Sequence, residues 1–163
     1  MRNILLIEPN YKNKYPPIGL MKIATYHRIL GDKVTFLKGD LKEFVTDLLT
    51  KQCIDKLNNI DDTISWNIYY DSIKKYLRNG KKDDFHNIPF SKSKYQVLIE
   101  NAIIEKKKNF QTKEYEKDPL FDRVYVSTLF TFYWKVTVET INFAKTLVKS
   151  DSDVIVGGVS ATL

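Results

Sequence analysis

Glycine, proline and hydroxyl-bearing residues cluster at three places where the sequence predicts the carboxyl end of a buried strand, in segments 8–19, 127–132 and 157–162. In a parallel sheet these strand ends share one edge, where backbone amides, hydroxyl groups and helix N-termini can hold a ligand. The same segments would also serve as ordinary connections of an α/β fold. The residues that we expect at a binding site are Pro9, Asn10, Tyr11, Pro17, Gly19, Ser127, Thr128, Leu129, Gly157, Gly158 and Ser160. The chemistry predicted here is binding and positioning, and no residue is assigned a catalytic role.

Two of these segments contain backbone features that suit the close approach of a ligand. The Pro-Pro-Ile-Gly run at 16–19 fixes the loop and leaves amides open at a helix start, as a phosphate or an amide-rich ring requires. The glycine pair at 157–158 lets the chain turn sharply after a strand. The sequence contains neither a Gly-x-Gly-x-x-Gly fingerprint nor a glycine loop ending in Gly-Lys-Ser/Thr, which disfavours dinucleotides and nucleoside triphosphates.

Thiol and imidazole chemistry has little support in the sequence. Cys53 is the only cysteine, so the chain has no intrachain disulfide and no set of thiolates for zinc or an iron–sulfur cluster. Its place on the apolar stripe of a predicted helix indicates a small core residue. His27 and His86 are far apart in the sequence and have no evident partner, so we assign no metal site.

The charge balance and the apolar runs limit the classes of partner. The net charge is +6, with lysine clusters at 81–82 and 106–108 that we interpret as solvated helix faces. No RNA- or DNA-binding motif accompanies them, so nucleic acid is not an expected partner. The longest apolar runs, such as residues 4–7, are too short to cross a bilayer. A cytoplasmic location without membrane contact is the expectation.

Two strand–helix–strand patterns at the ends of the chain must position these segments. The first has a strand at 3–7, a helix at 18–30 stopped by Gly31, and a strand at 33–37; the second has a strand at 123–129, a helix at 133–149 and a strand at 153–156. We predict one α/β domain over residues 1–163, with a Rossmann-like or flavodoxin-like parallel sheet of strand order 2-1-3-4.

A helical insertion is predicted between strands 2 and 3, at about residues 40–120. Three amphipathic stripes support it, with loops expected at 81–94 and 111–119. The first stripe is Leu41, Phe44, Val45, Leu48 and Leu49, the second is Trp66, Tyr69, Tyr70, Ile73 and Leu77, and the third is Tyr95, Leu98, Ile99, Ala102 and Ile103.

The two end patterns resemble a known family. The run Ile-Leu-Leu-Ile-Glu-Pro at 4–9, followed by Pro-Pro-Ile-Gly-Leu at 16–20 and Gly-Asp-Lys-Val at 31–34, is similar to the start of the cobalamin-binding-type domain of radical S-adenosylmethionine enzymes. Segments 126–132 and 156–163 look like that family's third-strand loop and its Gly-Gly-x-x-Ala-Thr-Leu-type loop. The resemblance covers both end patterns and does not cover the insertion.

The resemblance implies a domain that holds a cofactor or substrate, or docks, beside a catalytic barrel expected after residue 163. In the family that C-terminal radical domain binds S-adenosylmethionine and a 4Fe-4S cluster through three cysteines, and this chain alone cannot perform its reaction. Cobalamin is the cofactor that the resemblance implies for the chain itself. The Asp-x-His-x-x-Gly element that supplies a cobalt ligand in some relatives has no counterpart in segment 8–19, where Asn10 and Tyr11 stand instead.

Two alternatives remain open from the sequence. One is a stand-alone flavodoxin-like module that binds a phosphate-bearing small molecule without catalysis. The other is a basic RNA-associated domain, which rests on the lysines alone.

Overall fold

The computed structural model describes residues 1–12, 16–81, 84, 88, 90–128 and 133–158. The chain divides into two compact units. We call Met1–Leu41 with Tyr115–Leu163 the sheet unit and Lys42–Glu114 the helical unit. The helical unit thus occupies most of the segment in which the sequence predicts the insertion.

Within the described residues, four strands and five principal helices follow one another in the order that the two end patterns predict. The elements are β1 (Asn3–Glu8), α1 (Ile18–Ile29), β2 (Lys33–Lys38), α2 (Leu41–Ile60), α3 (Tyr70–Asn79), α4 (Gln96–Gln111), β3 (Arg123–Thr128), α5 (Trp134–Lys145) and β4 (Val154–Gly158). All strand pairs are parallel and the order is β2-β1-β3-β4, which confirms the predicted fold class.

Strand β1 is the centre of the sheet unit because its side chains are buried on both faces. Ile4 and Leu6 pack against Leu20 and Ala24 of α1 on one face, and Leu5 and Ile7 therefore point to the other. Full burial of each such side chain stabilises the fold by about 1.5 to 3 kcal/mol. Helix α5 packs against β3 and β4. Right-handed crossovers place α1 and α5 on opposite faces of the sheet.

Helix α1 ends as the sequence predicts, at a glycine. Gly31 has a φ of 77°, a left-handed conformation that glycine adopts without a steric penalty. The amide of Asp32 then donates to the carbonyl of His27 at 2.9 Å, so the chain turns directly from the helix into β2.

Two predicted helix boundaries are wrong. The helix predicted over 133–149 ends at Lys145, because the amides of Thr146 and Leu147 bond three residues back and tighten the chain into turns. The third predicted stripe starts too early, because α4 begins only at Gln96 and Tyr95 precedes it. Leu98 lies within α4 but on its exposed side. Ile99, Ala102 and Ile103 form its buried face.

The helical unit has its own apolar core. α2 continues to Ile60, well beyond its predicted stripe, and buries Cys53 and Leu57. The segment predicted as a loop at 81–94 also contributes to this core, because Phe90 and Ser93 are buried. Across the part of the chain that the structure describes, no helix has both the length and the apolar character to cross a membrane.

Candidate functional site

A cavity of about 560 Å³ opens at the carboxyl edge of the sheet, on the face that α1 covers. It brings together six of the residues expected at a binding site, from three segments that are distant in sequence. These are Pro17, Gly19, Ser127, Thr128, Gly157 and Gly158. The other described residues in its wall are Pro16, Ile18, Leu20, Ile23, Tyr125, Val126 and Ile155.

The remaining expected residues lie elsewhere. Pro9 is buried, Asn10 is exposed, and neither lines the cavity. Tyr11 turns into the protein, where its hydroxyl bonds Thr137 Oγ1 at 2.6 Å and its ring lies 5.2 Å from the ring of Tyr133. These two contacts of Tyr11 hold the loop after β1 against the start of α5. Leu129 and Ser160 lie outside the described residues.

The glycine pair allows β4 to follow β3 closely at the cavity floor. Gly158 has a φ of 122°, and a Cβ atom there would overlap the carbonyl oxygen of Thr128. A Cβ at Gly157 or Gly19 would meet no atom within 4 Å. Gly158 is therefore required by the backbone, whereas Gly157 and Gly19 leave space that a ligand can use.

The polar groups at this cavity are few and uncharged. Thr128 Oγ1 donates to the carbonyl of Gly157 at 3.3 Å. Ser127 Oγ is buried and has no hydrogen-bond partner among the residues that the structure describes. None of the described wall residues is acidic or basic. The cavity suits an apolar, uncharged group with one polar atom for Ser127.

An ion pair between a buried carboxylate and a partly exposed lysine lies at the same edge of the sheet. Glu8 ends β1 with its side chain fully buried, and Lys38 of β2 places its Nζ 3.1 Å from Glu8 Oε2. Removing the lysine would leave a carboxylate in a poorly solvated place, which is costly. This pair therefore holds the ends of β1 and β2 together beside the site.

Helix α1 separates the cavity from a second one of about 400 Å³, which lies over β2. Pro16, Pro17 and Leu20 line both cavities, so the start of α1 is a wall that they share. Met21 and Phe36, which line the second cavity, are each about half exposed.

Sequence reasoning missed a buried polar chain under α1. His27, which is 1% exposed, places Nδ1 2.8 Å from Asp32 Oδ2 and Nε2 3.0 Å from the hydroxyl of Tyr125. Asp32 also accepts from the Arg2 guanidinium, at 2.8 Å from Nη2, and from the Arg2 amide at 2.9 Å. The alternation in β3 does predict which face Tyr125 occupies, but its pairing with His27 depends on how α1 lies across the sheet.

The charge of Asp32 makes the stability of the sheet unit depend on pH. Hydrogen bonds from Arg2, and next from His27, hold the pKa of the Asp32 carboxyl well below its usual range. A lowered pKa in the folded state gives stability that is present above the ordinary carboxyl pKa and is lost as the pH falls toward the lowered one.

We expect Asp32→Asn to reduce the free energy of unfolding at pH 7 and to bring it closer to the wild-type value in acid. Urea unfolding at several values between about pH 7 and about pH 2 measures the difference between the two proteins. A difference that stays constant over this interval would contradict the assignment.

Neither thiol nor metal chemistry is found in the described residues. Burial raises the pKa of the Cys53 thiol to about 12, so the thiolate is scarce at neutral pH. No group of three or more His, Cys, Asp or Glu side chains within the described ranges could hold a metal ion.

In comparisons with protein-family models, with curated proteins and with solved structures, no match to this chain was found.

Proposed function

We propose that the chain is the cobalamin-binding-type domain of a radical S-adenosylmethionine protein, and that it holds a small molecule at the carboxyl edge of its sheet. One observation carries this proposal. The segments that resemble the family's loops, 16–20, 126–128 and 156–158, meet at one cavity large enough for a ligand. The C-terminal radical domain of the parent chain is the proposed partner, because a bound group at this edge would face whatever packs there.

The cavity wall indicates the part of a ligand that would bind. Proline, isoleucine and tyrosine side chains form most of it, and two glycines leave its floor open. Such a wall gains affinity by removing apolar surface from water, at about 25 cal/mol per Å². The side-chain hydroxyls in the described wall are those of Tyr125, Ser127 and Thr128, and Ser127 Oγ has no hydrogen-bond partner among the described residues.

The fit to cobalamin is partial. Asn10 and Tyr11 occupy the region in which some relatives have the ligating histidine. Asn10 is exposed, and the Tyr11 hydroxyl bonds Thr137 of α5. The described residues of the cavity wall include no imidazole. Cobalamin would therefore be held through its periphery by the wall residues, without a protein ligand to cobalt, as the resemblance implies for many relatives. The chemistry that it would supply would take place together with the proposed C-terminal radical domain.

A stand-alone module for a phosphate-bearing ligand has less support. The start of α1, where Pro17 provides no side-chain cap, does line the cavity, and a helix N-terminus favours an anion. However, the described wall lacks a lysine or arginine that would favour a phosphate. An open reading frame that continues past Leu163 into three closely spaced cysteines favours the radical protein, and a stop codon there favours the stand-alone module.

The lysine clusters give little support to RNA binding. Within the helical unit, Lys107 Nζ donates to the carbonyls of Gly80 at 2.8 Å and Tyr76 at 3.3 Å and lies 4.3 Å from the Tyr76 ring centroid. Lys106 Nζ donates to Gln52 Oε1 at 2.9 Å, and partial burial lowers its pKa. The sequence interpretation of these lysines as solvated is therefore wrong for two of them.

Retention of hydroxocobalamin by the purified chain tests the proposal. We expect the visible spectrum of the cofactor to remain with the protein after gel filtration, and Gly19→Leu to weaken retention at least about tenfold. A Cβ at position 19 would meet no atom within 4 Å and the position is exposed, so we expect a leucine there to add bulk to the cavity wall while the fold is retained.

The matched control is Lys22→Leu, which introduces the same side chain at an exposed position of α1 outside both cavities. It should leave retention unchanged. If neither the wild-type chain nor Lys22→Leu retains the cofactor, cobalamin is ruled out as the ligand. If Gly19→Leu retains it as well as the wild type, the cofactor does not bind in this cavity.

A further inference from the structure

The buried chain under α1 reaches the wall of the ligand cavity through one residue. Tyr125 lines the cavity, and its hydroxyl is 3.0 Å from His27 Nε2. In the sheet, Tyr125 is paired with Leu6 on one side and with Ile155 on the other, and Ile155 also lines the cavity. One hydrogen bond thus joins the His27 imidazole to a residue of the cavity wall.

The partner of His27 Nδ1 determines which atom donates in the hydrogen bond between His27 Nε2 and the Tyr125 hydroxyl. An ionised carboxylate only accepts, so Nδ1 carries the hydrogen that bonds Asp32. In the neutral ring Nε2 is then an acceptor, and the Tyr125 hydroxyl donates its proton to it. In the charged ring Nε2 becomes a donor, and the Tyr125 oxygen must accept instead. The hydroxyl proton is then free to bond another group.

We propose that the charge of His27 reverses the hydrogen-bonding sense that Tyr125 offers to a ligand in the cavity. This inference rests on the proposed function, since it assumes that a small molecule binds there. With neutral His27 the hydroxyl can only accept from the ligand, and with charged His27 it can donate to the ligand. The affinity for a ligand then depends on pH with a sign set by the ligand's own polar group.

The groups around His27 favour this assignment. Asp32 and, behind it, Arg2 face Nδ1, Tyr125 faces Nε2, and the Tyr26 ring lies 5.3 Å away at a steep angle. Asp32 remains ionised throughout the range in which an imidazole titrates, so it keeps Nδ1 protonated in both states. The Nε2–Tyr125 bond is therefore the one that changes direction.

A matched pair of uncharged probes tests the proposal. 9-Fluorenone and carbazole are planar molecules of similar size, but fluorenone only accepts a hydrogen bond whereas carbazole only donates one. Equilibrium dialysis at about pH 8 and about pH 5.5 gives their affinities, and NMR of the His27 ring carbons reports its charge. As His27 becomes charged, we expect fluorenone to bind up to about tenfold tighter and carbazole up to about tenfold weaker.

Two conservative variants distinguish an effect that passes through the His27–Tyr125 hydrogen bond from a general effect of charge. Tyr125→Phe keeps the aromatic ring, removes the hydroxyl that bonds His27 and should abolish both pH dependences. Tyr26→Phe removes a neighbouring hydroxyl that does not bond His27 Nε2 and should preserve them. Circular dichroism checks that each variant is folded, and loss of binding in Gly19→Leu places the probes in this cavity.

The other outcomes overturn the inference. Affinities that do not change with pH, that change with the same sign for both probes, or that keep their dependence in Tyr125→Phe overturn the inference and leave the binding cavity intact. A His27 ring that keeps one charge across the interval does the same. If neither probe binds at either pH, the inference fails together with the proposed small-molecule site.

Discussion

Replacement of Gly158 by alanine is expected to destabilise the sheet unit by roughly 3 to 5 kcal/mol, a large part of the stability of a typical domain. Two effects add at this position. The φ of 122° is one that residues with a Cβ rarely adopt, and the new Cβ would overlap the carbonyl oxygen of Thr128. Because the Thr128 atoms that would be overlapped belong to the backbone, no side chain can move aside to relieve the overlap.

Urea unfolding monitored by circular dichroism measures this effect, and Gly157→Ala is the matched control. Gly157 is the preceding residue of the same strand, but a Cβ there would meet nothing within 4 Å. We expect this control to change the free energy of unfolding by less than about 1 kcal/mol. Equal effects of the two substitutions would show that β4 does not approach β3 as closely as the structure has it.

The sheet could be predicted from the sequence because its signals are local. The apolar run of β1, the helix stop at Gly31 and the alternation in β2 each lie within a few residues of the boundary that they mark. Parallel topology then brings the carboxyl ends of the strands to one edge without further information. For this reason Pro17 and Gly158, which are 141 positions apart, could be expected at one site.

The errors and omissions concern features that depend on packing between elements. Nothing in the sequence near Tyr11 indicates that its side chain would turn toward Thr137. The buried polar chain of Asp32, His27 and Tyr125 likewise depends on a hydrogen bond between His27 and Tyr125, which are 98 positions apart. The third predicted stripe included Tyr95 and Leu98 because these two residues fit a helical period as well as the residues that α4 buries do.

An equally large loss of stability is expected in the helical unit from substitution of Trp66, which lies on the second amphipathic stripe predicted from the sequence. Trp66 is fully buried, its Nε1 donates to the carbonyl of Asp61 at 2.8 Å, and its ring centroid lies 6.3 Å from that of Tyr69. The Asp61 side chain accepts from the Thr63 hydroxyl at 2.6 Å, which fixes the turn that the indole bonds. Trp66→Ala therefore removes a large apolar group, leaves a cavity and frees a buried carbonyl.

We expect Trp66→Ala to lower the free energy of unfolding of the helical unit by about 3 to 5 kcal/mol, and Trp66→Phe to lower it by less, because phenylalanine fills most of the volume and loses only the hydrogen bond. Hydrogen exchange of the α2 and α3 amides reports the effect within this unit. Ile68→Ala is the control on the same turn, since Ile68 is 77% exposed and should contribute within about 0.5 kcal/mol. If the exchange of these amides is as slow in Trp66→Ala as in Ile68→Ala, the indole is not the centre of this core.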